Sequence, residues 1–279
     1  MKSAIIKTLC YSAVFDFPLT AVEIHARLIG QTATLRKVEN GLKRSALASR
    51  HGLYFLGSSA VVSKRLRLVA ANRHKLAFAR RIGRLLKIIP SIQAVYVTGA
   101  VAVGNAGVDD DIDIMIITTP NSLWTTRLVV NSTLDLFGRR RRPQTLKLND
   151  KVCLNLWLTT KNLAMPIAKR NLYTAYEIVQ AKLLWDRHDT HRQFLWANRW
   201  LKNFLPNTTI LKPSVARQSL GDGGAKISLI ERFAFFLQQA KMKSAITREK
   251  IGQNYAFFHP RDTKNLVEQK YRQLCQKYL

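Results

Sequence analysis

The sequence predicts an α/β chain of the mixed (α+β) kind: a small helical unit in front, a sheet-bearing core, and a helical region behind. Three observations predict it. Apolar residues recur at helical spacing through most of the chain before Pro90. Two apolar runs, Ile92–Thr98 and Asp111–Thr118, then read as strands around a small-residue turn and a short helix. After Thr160 the helical spacing returns and continues to Leu279. With 279 residues, 47% of them hydrophobic, the chain can form two or three packed units.

The front unit, residues 1–62, opens with a stripe of Ile5, Leu9, Ala13 and Val14. Thr20 starts a second helix, and Glu23 stands three residues on, the spacing of a capping box. A third helix, from about Ala33 to Leu47, turns Leu35, Val38 and Leu42 inward and Arg36, Lys37, Lys43 and Arg44 outward. His51 to Val62 reads as two short strands around a Gly-Ser turn. Three helices and a hairpin make a winged-helix-like arrangement, whose third helix commonly enters a DNA groove. A docking or scaffolding role is the alternative.

Residues 63–90 form a basic connecting helix with nine Lys and Arg, seated by Leu76, Ala79, Ile82, Leu86 and Ile89 and otherwise presenting positive surface. The core, 91–160, carries the two strands, a helix from Ser122 to Phe137 with Asn121 as its N-cap, and a third strand, Val152–Thr159. The last region, 161–279, has stripes at Leu172, Tyr176, Val179 and Leu183 and at Phe194, Ala197, Leu201 and Leu205. A turn-rich linker near 206–224 separates these from two further helices, about Ile227–Met242 and Asp262 to the end. The aromatic and basic residues interleaved from Arg192 to Phe204 stand at helical spacing, which favours core packing over base stacking.

Charge narrows the partners. Lys and Arg number 45 against 17 Asp and Glu, a net charge of +28. Between Asn40 and Val108 there are twelve Lys and Arg and no acid. Such a field attracts polyanions, nucleic acid first among them; a compositional bias toward basic residues is the plain alternative. Cys10, Cys153 and Cys275 form no CxxC and no cluster with His, so reduced thiols in a cytoplasmic compartment are expected and zinc is not. No secretory h-region or membrane-length apolar run is present.

Against that background, Asp109, Asp110, Asp111 and Asp113 put four carboxylates into five residues. Neighbouring carboxylates repel, and a hard divalent cation such as Mg²⁺ relieves the repulsion. Asp111 and Asp113 are i and i+2 on a strand, so both project from one face.

The order Val97-Thr98, Gly99-Ala100, ten residues, then Asp111-Ile112-Asp113-Ile114 resembles the nucleotidyltransferase superfamily that includes DNA polymerase β and the minimal nucleotidyltransferases. Gly99, Ala102 and Gly104 echo the G-S-x-A-x-G form of minimal members. The resemblance implies a mixed-sheet nucleotidyltransferase core in which Gly99, Ala100 and Gly104 attend an NTP and Asp111 and Asp113 hold one or two Mg²⁺ ions. It also implies a third carboxylate, acting as base, on the next strand. Asn155 stands there instead. Asn accepts no proton, and a buried amide hydrogen-bonded to Asp113 or to backbone is the other reading of it. Ala100 likewise lacks the hydroxyl common at its position. Asp109 and Asp110 on the turn are alternative third acids; Asp150, about five residues from Asn155 along an extended strand, is too far to substitute. The basic loop of Arg139, Arg140, Arg141 and Arg142 offers guanidinium forks for an acceptor nucleic acid or a triphosphate tail. The sequence therefore supports two functions: an Mg²⁺-dependent transferase of nucleoside monophosphate to a hydroxyl, or a degraded relative that senses NTP and binds nucleic acid.

Overall fold

The computed structural model describes residues 1–142, 145–214, 228–242, 250–258 and 263–279. Three short helices open it: α1 (Lys2–Ala13), α2 (Ala21–Ala26) and α3 (Leu35–Lys43). Thr20 caps α2 by accepting from the Glu23 amide, and the Glu23 carboxylate accepts from the Thr20 amide at 2.9 Å. Arg65 donates to both oxygens of that carboxylate, each at 2.9 Å, and so fastens α2 to the long helix α4 (Ala60–Leu86). Ile5, Leu9, Leu19, Ile24, Val38 and Leu42 close a core of their own.

The hairpin comes earlier than expected. Strands β1 (Ser49–Arg50) and β2 (Leu53–Tyr54) turn at His51-Gly52, both with positive φ, as a two-residue turn requires. Gly57-Ser58 leads into α4 instead, and Ala60–Val62 are helical.

The central sheet has six strands in the order β6–β3–β4–β5–β8–β7. In chain order these are β3 (Ile92–Val97), β4 (Ile112–Thr118), β5 (Val152–Thr159), β6 (Lys182–Asp186), β7 (Lys250–Gly252) and β8 (Tyr255–Phe257). Only β4 and β5 run parallel; every other neighbouring pair is antiparallel. The short helix α5 (Gly99–Val103) joins β3 to β4, and α6 (Leu123–Leu136) joins β4 to β5. Helices α7 (Leu172–Gln180), α8 (Thr190–Ala197), α9 (Leu229–Met242) and α10 (Thr263–Tyr278) complete the described chain. One face of the sheet packs on α4, α5, α6 and α9 through Ile82, Leu86, Val101, Trp124 and Ala234. The other packs on α1, α7, α8 and α10 through Tyr11, Tyr176, Phe194 and Val267. A sheet covered on both faces matches the nearly continuous apolar runs of β3 and β4.

The chain after residue 160 is not a purely helical region, because it supplies β6, β7 and β8. Leu183 belongs to β6, paired with Tyr96, and not to the α7 stripe. Ser122, not Asn121, occupies the N-cap position of α6. Its side chain makes no capping bond there; the buried Glu231 of α9 does so instead, accepting from the Trp124 and Thr125 amides at 2.8 Å. Most of the linker expected near 206–224 lies outside the described residues. No described helix is long and apolar enough to cross a membrane.

Candidate functional site

Thr98 at the end of β3 donates its amide to the Asp113 carbonyl at 2.9 Å, which lays the following turn over the start of β4. Gly99 occupies that turn with φ +61, and a Cβ there would lie 2.5 Å from Asp113 Oδ2. Both the dihedral and the close approach require glycine. Along β4, Ile112, Ile114 and Ile116 point into the core beneath α6, while Asp113, Met115 and Ile117 alternate onto the opposite face. The carboxylate is thus set where the sheet meets α7.

A bulge in β5 shapes the neighbouring wall. Asp113 pairs with Cys153 but Met115 pairs with Leu156, so β5 uses three residues where β4 uses two. Asn155 and Leu156 therefore both serve the Asp113 face. The Asn155 amide donates to Asp113 Oδ1 at 2.7 Å, and Leu156 packs beside Met115. Asn155 is only 9% exposed, and its Oδ1 is buried without a partner. The reading of Asn155 as a buried amide on Asp113 holds, and it leaves an orphan acceptor beside the carboxylate.

One ligating atom each of Asp111, Asp113 and Cys153 lies within 4.8 Å of the others. Burial, and then the Asp111 charge, push the Asp113 carboxyl up to about 6. Burial and the Asp113 charge push the Cys153 thiol up to about 12, so it stays protonated and donates to Asp113. A protonated thiol is a poor ligand; the two carboxylates are hard donors suited to Mg²⁺ or Mn²⁺. The orphan Asn155 oxygen and the close seat of Gly99 against Asp113 fit a site built for a further group.

Arg141 reaches the same place. Its Nη1 donates to Asp111 Oδ2 at 2.6 Å. The other three arginines of the basic loop are committed elsewhere: Arg140 and Arg142 pair with Asp135 at 2.8 and 3.0 Å, and Arg139 stacks over Phe78. Lys75, read from sequence as positive surface, is 1% exposed. Its ammonium donates to the Asp110 carbonyl at 2.6 Å and to Asn149 Oδ1 at 3.3 Å, joining the loops that lead into β4 and β5. Asp150 lies 3.8 Å from the same ammonium, away from Asn155, and serves as no third acid.

Asp113 and Asn155 open onto a cavity of about 580 Å³. Gly99 and Ala100 line it, with Tyr11, Phe15 and Arg27 from the front unit, Tyr173 and Glu177 from α7, and Lys264 from α10. Tyr11 and Tyr176 stack with ring centroids 3.8 Å apart and close one wall. Burial, and then the Asp113 charge, push the Glu177 carboxyl up to about 7. Gly104 instead ends α5 at φ +89. It is absent from the cavity wall, and its role is conformational. Arg36, Lys37, Lys43 and Arg44 are all exposed, as the periodicity of α3 predicts.

Comparisons with protein-family models, with curated proteins and with solved structures found no match.

Cys153, Glu177 and the buried Lys75 escaped sequence reasoning. Cys153 sits two residues before Asn155 on the same strand face, a signal open to any reader of the alternation. Glu177 carried no local signal, since its place depends on how α7 crosses the sheet.

Proposed function

We propose that this chain is an Mg²⁺-dependent nucleotidyltransferase that moves a nucleoside monophosphate from an NTP to a hydroxyl, with nucleic acid the favoured acceptor. Protein and small-molecule hydroxyls are the other acceptor classes. The observation that carries the reading is the seat of Gly99 against Asp113 at the head of a cavity that also receives Asn155 and Glu177, with Asp111 alongside.

When bound, a divalent ion would neutralise the polyphosphate and lower the pKa of the attacking hydroxyl. Asp111 and Asp113 would hold it, and Asn155 keeps the Asp113 carboxylate in place through its amide. Gly99 leaves room for the Asp113 carboxylate itself, which a side chain at that position would displace. Asn155 takes no proton, whereas Glu177, held near neutrality in the same cavity, is matched to accept one from the acceptor. The aromatic wall of Tyr11, Phe15 and Tyr173 gives a nucleobase a stacking surface. Three helices and a hairpin support the winged-helix-like reading of the front unit, with the exposed cations of α3 facing nucleic acid.

One observation favours a second reading. Asn155 stands on β5 where the motif implies a carboxylate, which suits binding without turnover. Incubation with Mg²⁺ and each α-labelled NTP, with total RNA and protein as acceptors, separates the two. Label transferred by the unmutated chain and lost in Asp111→Asn/Asp113→Asn establishes the transferase. Metal-dependent NTP binding without transfer, lost in the same variant, selects the sensor.

A further inference from the structure

We infer that Arg141 is a resident counter-cation, which holds Asp111 until a divalent ion arrives and then passes to the anion that accompanies the ion. The inference rests on the reading of Asp111 and Asp113 as a divalent-cation site. Among the described residues, Asp111 has one ion pair, to Arg141, and Asp113 has none. Two carboxylates with oxygens inside 4.8 Å of one another repel, and a cation between or beside them relieves that repulsion. The guanidinium provides a single charge at 2.6 Å, and it occupies an oxygen that a metal would take. A divalent ion bound about 2.1 Å from that oxygen leaves no room for the guanidinium and repels it.

The loop is built for such a departure. Its main chain is fastened to β5, with the Val152 amide donating to the Arg139 carbonyl at 2.7 Å and the Arg141 amide to the Val152 carbonyl at 2.9 Å. The Arg141 side chain itself is 38% exposed, so its tip can move while its Cα stays. Arg140 and Arg142 are occupied by Asp135, which leaves Arg141 as the fork directed at the carboxylates. A phosphate brought in by the ion offers two oxygens to the planar guanidinium, a bidentate partner in exchange for Asp111. Ion and anion then bind cooperatively, each making the other's place available, and the coupling must be reciprocal.

The test uses the full chain, Mn²⁺ as the ion and inorganic pyrophosphate as the anion, with calorimetric and electron-spin-resonance titrations. Removing the guanidinium in Arg141→Met is expected to tighten binding of Mn²⁺ alone by about thirtyfold, the effect of one positive charge about 4 Å from a divalent ion in a water-like medium. The same variant should lose most of the mutual strengthening between Mn²⁺ and pyrophosphate. Arg141→Lys, which keeps the charge, should stay near the unmutated chain, and Arg140→Met, which removes a cation bound to Asp135, should change little. Unchanged or weaker Mn²⁺ binding in Arg141→Met overturns the proposal, as does Mn²⁺ binding that survives Asp111→Asn/Asp113→Asn or is missing from the unmutated chain. The transferase reading fails separately: tighter Mn²⁺ binding in Arg141→Met with no label transfer retains the counter-cation and removes the transferase. Label transfer with Mn²⁺ affinity indifferent to Arg141 does the reverse.

Discussion

Gly99 answers to the backbone and to the carboxylate at once. In Gly99→Ala an L side chain is held at φ +61 and its methyl group meets Asp113 Oδ2 at 2.5 Å. Urea denaturation should show a loss of about 1–3 kcal/mol, and Mn²⁺ binding should weaken with it because Asp113 must move. Glu177 gives a second residue-level prediction. Its carboxyl is raised from 4.5 to about 7, so the folded chain keeps a proton that the unfolded chain has released. Stability therefore falls as pH rises across that window. Asp113, raised to about 6, contributes in the same direction but its window closes first. The unmutated chain should lose melting temperature between about pH 6 and 7, and Glu177→Gln should lack that decline; an identical slope in both would place the proton elsewhere. At this scale the acidic pair was legible because i, i+2 alternation is a local rule. Arg141 was legible only as one of four arginines, since what distinguishes it is the prior claim of Asp135 on Arg140 and Arg142.

Elements were legible in proportion to their length. The 27 residues of α4 and the eight of β5 carry enough periods to be read from the chain alone. β7 and β8 have three residues each, and no period can be read from three. β6 was absorbed into a helical stripe because Leu183 falls at the right spacing after Tyr176 and Val179. Tertiary capping was equally hidden. Glu231, 4% exposed, caps α6 from 107 residues away. Glu231→Ala leaves two amides at a buried helix start without an acceptor, and about 2–4 kcal/mol of unfolding free energy should be lost. Glu231→Gln, which keeps one acceptor oxygen, should recover part of that in the same denaturant titration.

The exposed cations of α3 and the cavity lie on different parts of the molecule. The cavity is lined by aromatic and apolar groups around Asp113 and Glu177, with Arg27, Lys169 and Lys264 on its wall, whereas α3 and α4 present further, exposed cations. Nucleic-acid affinity and metal-site chemistry should then separate by mutation. Replacing Arg36, Lys37, Lys43 and Arg44 by Gln should reduce the slope of log K against log salt by about 3 to 4 if all four meet phosphates. Mn²⁺ binding should be untouched. A slope that does not change would assign nucleic-acid contact to another surface.

The late hairpin of β7 and β8 also governs what happens while the chain is being made. β5 is an apolar strand whose outer edge is paired with residues 255–257. A ribosome that has released β3, β4 and β5 has therefore exposed a bare edge of Leu156, Trp157 and Leu158, with its partner still unsynthesised. Bare edges of this kind pair with those of sister chains. A product ending before residue 250 should pellet where the full chain stays dispersed, and a covering strand supplied in trans as a peptide spanning Lys250–Phe257 should rescue it. Polysomes crowded with half-made copies would feel this hazard most, so a pause in translation is safest before β5 emerges.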